Sequence, residues 1–445
     1  MKDILFEKIK KLLESKQFNK IKKILSELHP ADIVYYINRL DSDNQILLFA
    51  MLDESTASDV LSDLHDDVRE LIIESINTNR LTKIIDEMES DDAADIISEL
   101  DEDDTKKILE SIDLEDSENI RKLLKYDEDS AGGLMQTEII AVSAQSKRDK
   151  LIEDIRKNRE KVENIHYVYV VDELNRLLGL LEIASLLFAD ENDTAKDLVE
   201  DDIFYVRFDE DQEQVANIFR KYDLISLPVV DYENHLLGRI TVDDVIDVID
   251  EEASEDAYKM VGLDSDDKVF TSPLESVKKR LPWLVLNLFT AILVSTVVGF
   301  FQGSIEKLSV LAVLMPIVAG LGGNAGIQTL TVITRGIAMG EMTLQNTWKA
   351  ITKEVSVGLV NGILIGASAS LVAYLLKGDI RIGIVLGVAM IINMFVAGLM
   401  GSLIPVIMRS LKIDPALASS IIITMLTDIC GYASFLGLAT IFLLH

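Results

Sequence analysis

The stretch Lys278-KRLPWLVLNLFTAILVSTVVGF-Phe301 divides the chain into two different polymers. Lys278, Lys279 and Arg280 stand just ahead of Trp283, and residues 282–301 are apolar enough and long enough to cross a bilayer. Of the 445 residues, the 280 before Leu281 hold 69 Asp and Glu against 35 Lys and Arg, a net of −34. The 165 from Leu281 onward hold six acids and eight bases, a net of +2. Glycine follows the same division: 18 of 23 lie after residue 281 and none precedes Gly132. An acidic soluble part of this size repels nucleic acid and anionic lipid and attracts cations, divalent ones most strongly.

Five segments read as membrane spans, about 282–301, 309–334, 355–376, 382–408 and 416–444. An odd number of crossings puts the termini on opposite sides. With the N-terminus inside, the inner flanks hold Lys278, Lys279, Arg280, Arg335, Lys349, Lys353, Arg409 and Lys412, and the outer loops only Lys307, Lys377 and Arg381. The positive-inside rule therefore predicts a multi-pass protein of the plasma membrane, its N-terminal domains cytoplasmic and its C-terminus extracytoplasmic. The opening MKDILFEKIKK lacks the apolar core of a signal peptide, and the lone Cys430 excludes a disulfide framework.

Residues 1–130 read as helices that repeat. Leu28-HPADIVYYINRL-Asp41 resembles Met88-ESDDAADIISEL-Asp101, with a weaker copy from Leu52. Short repeated helices stack because none buries its apolar face alone, so a helical solenoid is predicted. Residues 131–250 hold a second repeat. Ile165-HYVYVVDELNRLLGLL-Glu182 matches Leu224-ISLPVVDYENHLLGRI-Thr241, each an apolar strand, a polar turn, a glycine strand and a helix. Val170-Val171-Asp172 and Val229-Val230-Asp231, each followed by Leu-Leu-Gly, resemble the tandem CBS (Bateman) module. Residues 243–270 read as an acidic connecting helix, and Ser272-Pro-Leu-Glu275 as a capping box opening the membrane domain, 271–445.

Two features carry chemistry. Asp428 lies about twelve residues into the last span, roughly 18 Å at helical rise, near mid-membrane. A charge there costs on the order of 2.5–3.5 kcal/mol, so such acids face an interior and do work. It is the one acid read at depth. The second span contains Pro316 and then Gly320-LGGNAGI-Gln328, and four glycines in seven residues predict a break in the helix, with Asn324, Gln328 and freed carbonyls offering neutral oxygens. Gly358, Gly362 and Gly366 of the third span read as a helix-packing stripe. An acid with neutral oxygens and no histidine suits a hard cation. Mg2+ sheds water reluctantly and would be gripped through its hydration shell. No HExxH run, paired intramembrane aspartates or phosphate-binding GxxxxGK[ST] loop is present, so the chain is not read as an enzyme.

The order of parts resembles the MgtE family of magnesium channels over essentially the whole chain. Gly322-GNAGI-Gln328, Asp414-Pro-Ala and Thr427-Asp-Ile-Cys-Gly431 carry the resemblance together. It implies a multidomain membrane protein with an all-α superhelical N-terminal domain, an α/β CBS pair, a connecting plug helix and a five-helix α transmembrane domain. It implies a homodimer in the lipid bilayer with the pore between the two membrane domains, Mg2+ serving as both substrate and regulator. Asp428 then matches the pore aspartate, the Thr424 carbonyl a pore carbonyl, and Asn324 the asparagine near that ion. Asp414 falls at the cytoplasmic mouth, facing the plug helix. Glu255, Asp256, Asp244 and Asp247 fall on plug positions that bind regulatory Mg2+, Glu213 and Asp223 on CBS sites, and Asp91 and Asp95 on solenoid sites. Ser420 departs from the family, which often has asparagine there. Some members bind ATP between the CBS repeats. Thr241 and Asp244 keep the ribose-contacting pattern, whereas Glu182 and Ser185 do not, so the resemblance leaves ATP binding open.

The mechanism implied is feedback: cytoplasmic Mg2+ neutralises mutually repelling acidic faces and the plug helices shut the pore. A proton-coupled carrier or exporter of divalent cations, with Asp428 as its proton site, is the alternative. A CBS-regulated anion channel is disfavoured by the acidic mouth.

Overall fold

A computed structural model describes residues 2–444 except 160–161, 163–164, 200–202, 265–266, 268, 270, 344 and 419. The chain forms two compact units, Met1–Val248 and Ile249–His445.

The first unit opens with ten short helices: α1 Lys2–Glu14, α2 Phe18–Leu25, α3 Pro30–Ile37, α4 Ser42–Phe49, α5 Glu54–Ser62, α6 Asp66–Ser75, α7 Thr78–Ile85, α8 Ser90–Ser98, α9 Glu102–Leu109 and α10 Leu114–Leu123. Polar residues start them. Asp41, Asp53, Asn77, Asp101 and Asp113 each accept a backbone N–H of the first turn. Asp41 and Asp101, equivalent in the sequence repeat, are thus equivalent N-caps. The helices stack over a shared core that includes Ile33, Ile37, Leu48, Ile72, Ile84 and Ile97.

Two α/β repeats follow. In the first, β1 (Ala141–Ser143), α11 (Arg148–Asn158), β2 (Tyr167–Val171), β3 (Leu177–Glu182) and α12 (Ala195–Leu198) build a sheet ordered β1-β2-β3. In the second, β4 (Val206–Arg207), α13 (Gln212–Tyr222), β5 (Ser226–Val230) and β6 (Leu236–Thr241) build β4-β5-β6. The copies agree in detail. Each antiparallel pair shifts register at the same place, Val170/Val171 and Val229/Val230. In each turn an aspartate oxygen accepts two backbone N–H groups: Asp172 from Leu174 and Arg176, Asp231 from Glu233 and His235. The two turns interlock, Leu177 N–H donating to Asn234 O and Leu236 N–H to Asn175 O.

The connecting helix α14 runs Val242–Met260, ten residues short of the expected 243–270. Gly262 at φ +73° gives the left-handed step that ends it, and residues 265, 266, 268 and 270 lie outside the described residues. α14 passes from the first unit into the second. The membrane helices are α15 (Pro273–Phe300), α17 (Val310–Ala338), α18 (Thr347–Lys377), α19 (Ile380–Ser410) and α20 (Ser420–Leu443), with a short α16 (Gln302–Lys307) between the first two. All five are long and apolar enough to cross a membrane. Ser272 caps α15: its Oγ accepts Glu275 N–H and donates to Glu275 Oε2 at 2.7 Å, starting the helix well before the apolar run.

One expectation is overturned. α17 continues unbroken through Gly320–Gly326. Two of the four glycines serve close packing instead: a Cβ on Gly322 would meet Asn393 of α19, and one on Gly326 would lie 2.4 Å from Ile423 of α20. In lipid an unbroken helix satisfies its own backbone, and close contact offsets the low helix propensity of glycine. The stripe on α18 behaves as read, with Cβ positions on Gly358 and Gly366 only 2.5 and 2.7 Å from the carbonyl oxygens of Met394 and Gly387 on α19.

Candidate ion pathway and acidic interface

Asp428 sits on α20, half-buried, with its Oδ1 enclosed and without a hydrogen-bond partner among the described residues. It opens into a cavity of about 410 Å³ between α20 and α15. Thr424 and Tyr432, one turn to either side, share the wall, and Asn287, Thr290 and Ser295 face it from α15. Each presents an amide or hydroxyl oxygen. Six waters at about 30 Å³ each occupy roughly 180 Å³, so a hydrated ion fits beside the carboxylate. The Thr424 carbonyl also accepts Thr427 Oγ1 at 3.0 Å.

Asn324 does not join this wall. It lies exposed on α17 with Gln328 one turn on. Ser420 is the first residue of α20 and is likewise outside the cavity wall. A second buried acid lies two turns into α18, just ahead of the span read as 355–376. Glu354 of α18 is 4% exposed, accepts Thr329 Oγ1 at 3.3 Å and pairs with Lys353. The adjacent lysine made it look like part of an interfacial flank.

In the first unit, carboxylates from α8 and its approach meet others from the start of α14. Burial pushes Glu89 up to about 7, helped by Asp92 and Asp244. Asp92 is likewise raised to about 7 by burial, then by Asp244, Asp95 and Asp63. Asp91 is raised well above the usual carboxylate range, first by burial and then by Asp244, and its Oδ1 has no hydrogen-bond partner among the described residues. Asp244 reaches about 6 although Thr241 Oγ1 donates to it at 2.5 Å. Burial raises Asp63, with Asp247 the next cause. Among the described residues no three His, Cys, Asp or Glu side chains converge to ligate one ion directly. An ion drawn here would act through its waters.

Around this cluster runs a polar seam. Gln136 Nε2 donates to Glu89 at 2.7 Å while its Oε1 accepts both Nε and a terminal N–H of buried Arg239. Ser90 Oγ donates to Glu138 at 2.8 Å. These bonds fasten α8 to the α/β module.

In the second unit, the end of α14 meets the loop before α20. Lys259 Nζ donates to Asp414 Oδ2 at 2.9 Å and also pairs with Glu255. Asp256 is pushed up to about 6 by burial, then by Asp414 and Glu252, against the pull of Arg335. Glu213 and Asp223 stand in the first turn and at the C-cap of α13, about 15 Å apart at helical rise. Asp223 takes left-handed φ 52° there.

Residues 315–438 match the family described as divalent cation transporter (MgtE), residues 28–129 the MgtE intracellular N domain, and residues 131–192 and 195–251 CBS domains. A magnesium transporter MgtE from Enterococcus faecalis is 36% identical over 324 residues, 73% of this chain and 71% of that protein. The chain belongs to the MgtE family of magnesium transporters. The MgtE of Thermus thermophilus is 35% identical over 332 residues, covering 73% of this chain and 72% of that one. The soluble part of a magnesium transporter, solved by crystallography, superposes with a TM-score of 0.52 at 29% identity, over 57% of this chain and all of that one. The cytosolic domain of a Mg2+ channel MgtE in complex with ATP does so with a TM-score of 0.52 at 32% identity, over 54% of this chain and 98% of that one.

Of the positions that MgtE resemblance nominates, the structure gathers Asp91, Asp95, Asp244 and Asp247 at one acidic interface, Glu255, Asp256 and Asp414 at a second, and Asp428 with Thr424 at the cavity. It leaves Asn324, Glu213 and Asp223 apart from these. Sequence reasoning missed Asp63, Glu89, Asp92 and Lys259. The first three sat in plain acidic runs, and Lys259 is a lone cation in an acidic helix, a charge reversal that could have flagged it.

Proposed function

We propose that this MgtE protein is a homodimeric, Mg2+-selective channel for uptake across the plasma membrane, closed by cytoplasmic Mg2+. One observation carries it: the Asp428 carboxylate, whose Oδ1 has no hydrogen-bond partner among the described residues, opens on a cavity walled in about equal part by oxygen-bearing and apolar side chains and large enough for a hydrated divalent ion. A negative-inside potential draws a divalent ion inward by about 4.6 kcal/mol per 100 mV, so no pump is needed. Two Asp428 side chains across a dimer axis would match the charge of one ion, and the exposed Asn324–Gln328 face of α17 is then turned to the partner. The N-terminal domains lie in the cytoplasm and the C-terminus outside.

For gating, buried like charges at α8 and α14 repel one another when ionised. Hydrated Mg2+ between them removes that repulsion, and the Lys259–Asp414 pair holds the end of α14 in the closed position. ATP is a second ligand to test. The related cytosolic domain was solved with it, and Thr241 and Asp244 keep the contacting pattern, although here they are bonded to each other.

Purified protein in voltage-clamped bilayers tests the conduction reading. Wild type passes Mg2+ current that a pH gradient does not drive, and Asp428→Ala abolishes it while the protein still inserts. Full current through Asp428→Ala, or flux that follows the proton gradient, refutes the channel in favour of other pathways or the coupled carrier.

A further inference from the structure

Asn393 is fully buried on α19, facing both helices that carry pathway residues. Its Nδ2 donates to the Val318 carbonyl of α17 at 2.9 Å. Its Oδ1 is buried with no hydrogen-bond partner among the described residues. The amide fills space that two glycines leave open. A Cβ on Gly322 of α17 would lie 2.1 Å from Nδ2. One on Gly431 of α20 would lie 2.6 Å from Nδ2 and 3.0 Å from Val318 Cγ1. Three helices therefore interlock on one side chain.

The choice of asparagine is costly. A buried acceptor without a donor costs energy that an apolar residue of similar size would not, and each such group in a native fold calls for a reason. The reason lies along α20. Gly431 is three residues past Asp428, about 300° around the helix. The rotation that seats Gly431 against Asn393 is the rotation that turns Asp428 to the cavity. Thr427, fully buried, and Ile423 hold the same face of α20 against Gly326.

We propose that Asn393 is a positioning residue for the pathway: anchored on Val318, it receives Gly431 and so fixes the rotation at which the Asp428 carboxylate faces the cavity. Its consequence for Mg2+ flux rests on the conduction reading; its consequence for geometry does not. Glycine at 322 and 431 is then required by the amide that passes between them.

The test is a double-mutant cycle with a geometric readout. In a Cys430→Ala background of the full-length protein in nanodiscs, Asp428→Cys supplies a thiol, and its rate of modification by a charged methanethiosulfonate reports how far position 428 faces water. Gly431→Ala should slow labelling about tenfold, the overpacking penalty of a well-filled site. Adding Asn393→Ala should restore it to within about threefold of the parent, because the two changes share one space. Asn393→Leu, which keeps bulk and loses the bond to Val318, should slow labelling as well, with thermal stability of the tetra-substituted and parent proteins compared throughout. Equal labelling in all variants, or a double variant no faster than Gly431→Ala, overturns the proposal. Mg2+ currents of Gly431→Ala and of Gly431→Ala with Asn393→Ala, measured with Asp428 intact, should fall and recover in step. A labelling pattern as expected in a protein whose wild type passes no Mg2+ upholds the positioning role and overturns the conduction reading instead.

Discussion

Replacing Glu89 by glutamine isolates the electrostatics of the acidic interface, because the amide keeps an oxygen to accept from Gln136 and changes only charge. Burial and the nearby Asp92 and Asp244 raise Glu89 from 4.5 to about 7. At 1.36 kcal/mol per unit this is about 3 kcal/mol against the docked arrangement once the group is ionised. The sign follows from proton linkage. The docked form binds more protons than the separated form between about pH 4.5 and 7, so docking is strongest below that window and weakens as pH rises through it. At pH 8 without Mg2+ the full cost applies, and Glu89→Gln removes it, shifting the docking equilibrium by about two orders of magnitude. Pulsed electron paramagnetic resonance between spin labels at the exposed Glu102 and Gln214, in a Cys430→Ala background, reads the populations. The Mg2+-free wild type should pass from a broad distance distribution at pH 8 to a narrow one at pH 5.5, and Glu89→Gln should be narrower than the wild type at pH 8 while Asp92 and Asp244 keep their charge there. A wild type insensitive to pH over that range, or a variant indistinguishable from it at pH 8, refutes the electrostatic account of closure.

Two further outcomes are expected. Lys259→Met breaks the pair with Asp414 and leaves Asp256, already raised to about 6, facing Asp414 without a nearby cation on α14; closure in Mg2+ titrations of the current should move to higher concentration, and an unchanged midpoint would remove this pair from the gate. Gly366→Val forces a side chain into the Gly387 carbonyl, 2.7 Å from the added Cβ; it should cost about 1–3 kcal/mol and lower the detergent melting temperature, which an unchanged melting curve would contradict.

Domain order, the two repeats, the five apolar helices and the place of Asp428 on the last of them were legible because each rests on periodicity or on hydropathy, which are local. Asp41 and Asp101 show how far that extends, since a repeat read from letters proves to be a repeat of N-caps. What stayed hidden depends on neighbours distant in sequence. Gly320–Gly326 has the composition of a helix break, and only the arrival of α19 at Gly322 and of α20 at Gly326 makes it a packed helix. Glu89, Asp92 and Asp63 look like ordinary surface acids in a chain with 75 of them; burial, invisible in composition, selects them. The Lys259–Asp414 pair spans 155 positions, and Glu354 was masked by the lysine beside it.

The same physical condition recurs at membrane depth and in the soluble unit. Asp428 and Asp91 each hold a buried carboxylate oxygen with no hydrogen-bond partner among the described residues. A fold selected for stability alone would replace either with an amide or an apolar side chain, since an unpaired buried charge is among the most expensive single groups a protein can contain. No lysine or arginine hydrogen-bonds or pairs with either among the described residues. A permanent counter-ion would remove the cost and with it the dependence on a mobile one. On the channel reading, leaving both carboxylates uncompensated would make conduction and docking conditional on the same species, a small cation that arrives with its own water. On the channel reading, that shared condition would let one ion be both cargo and signal.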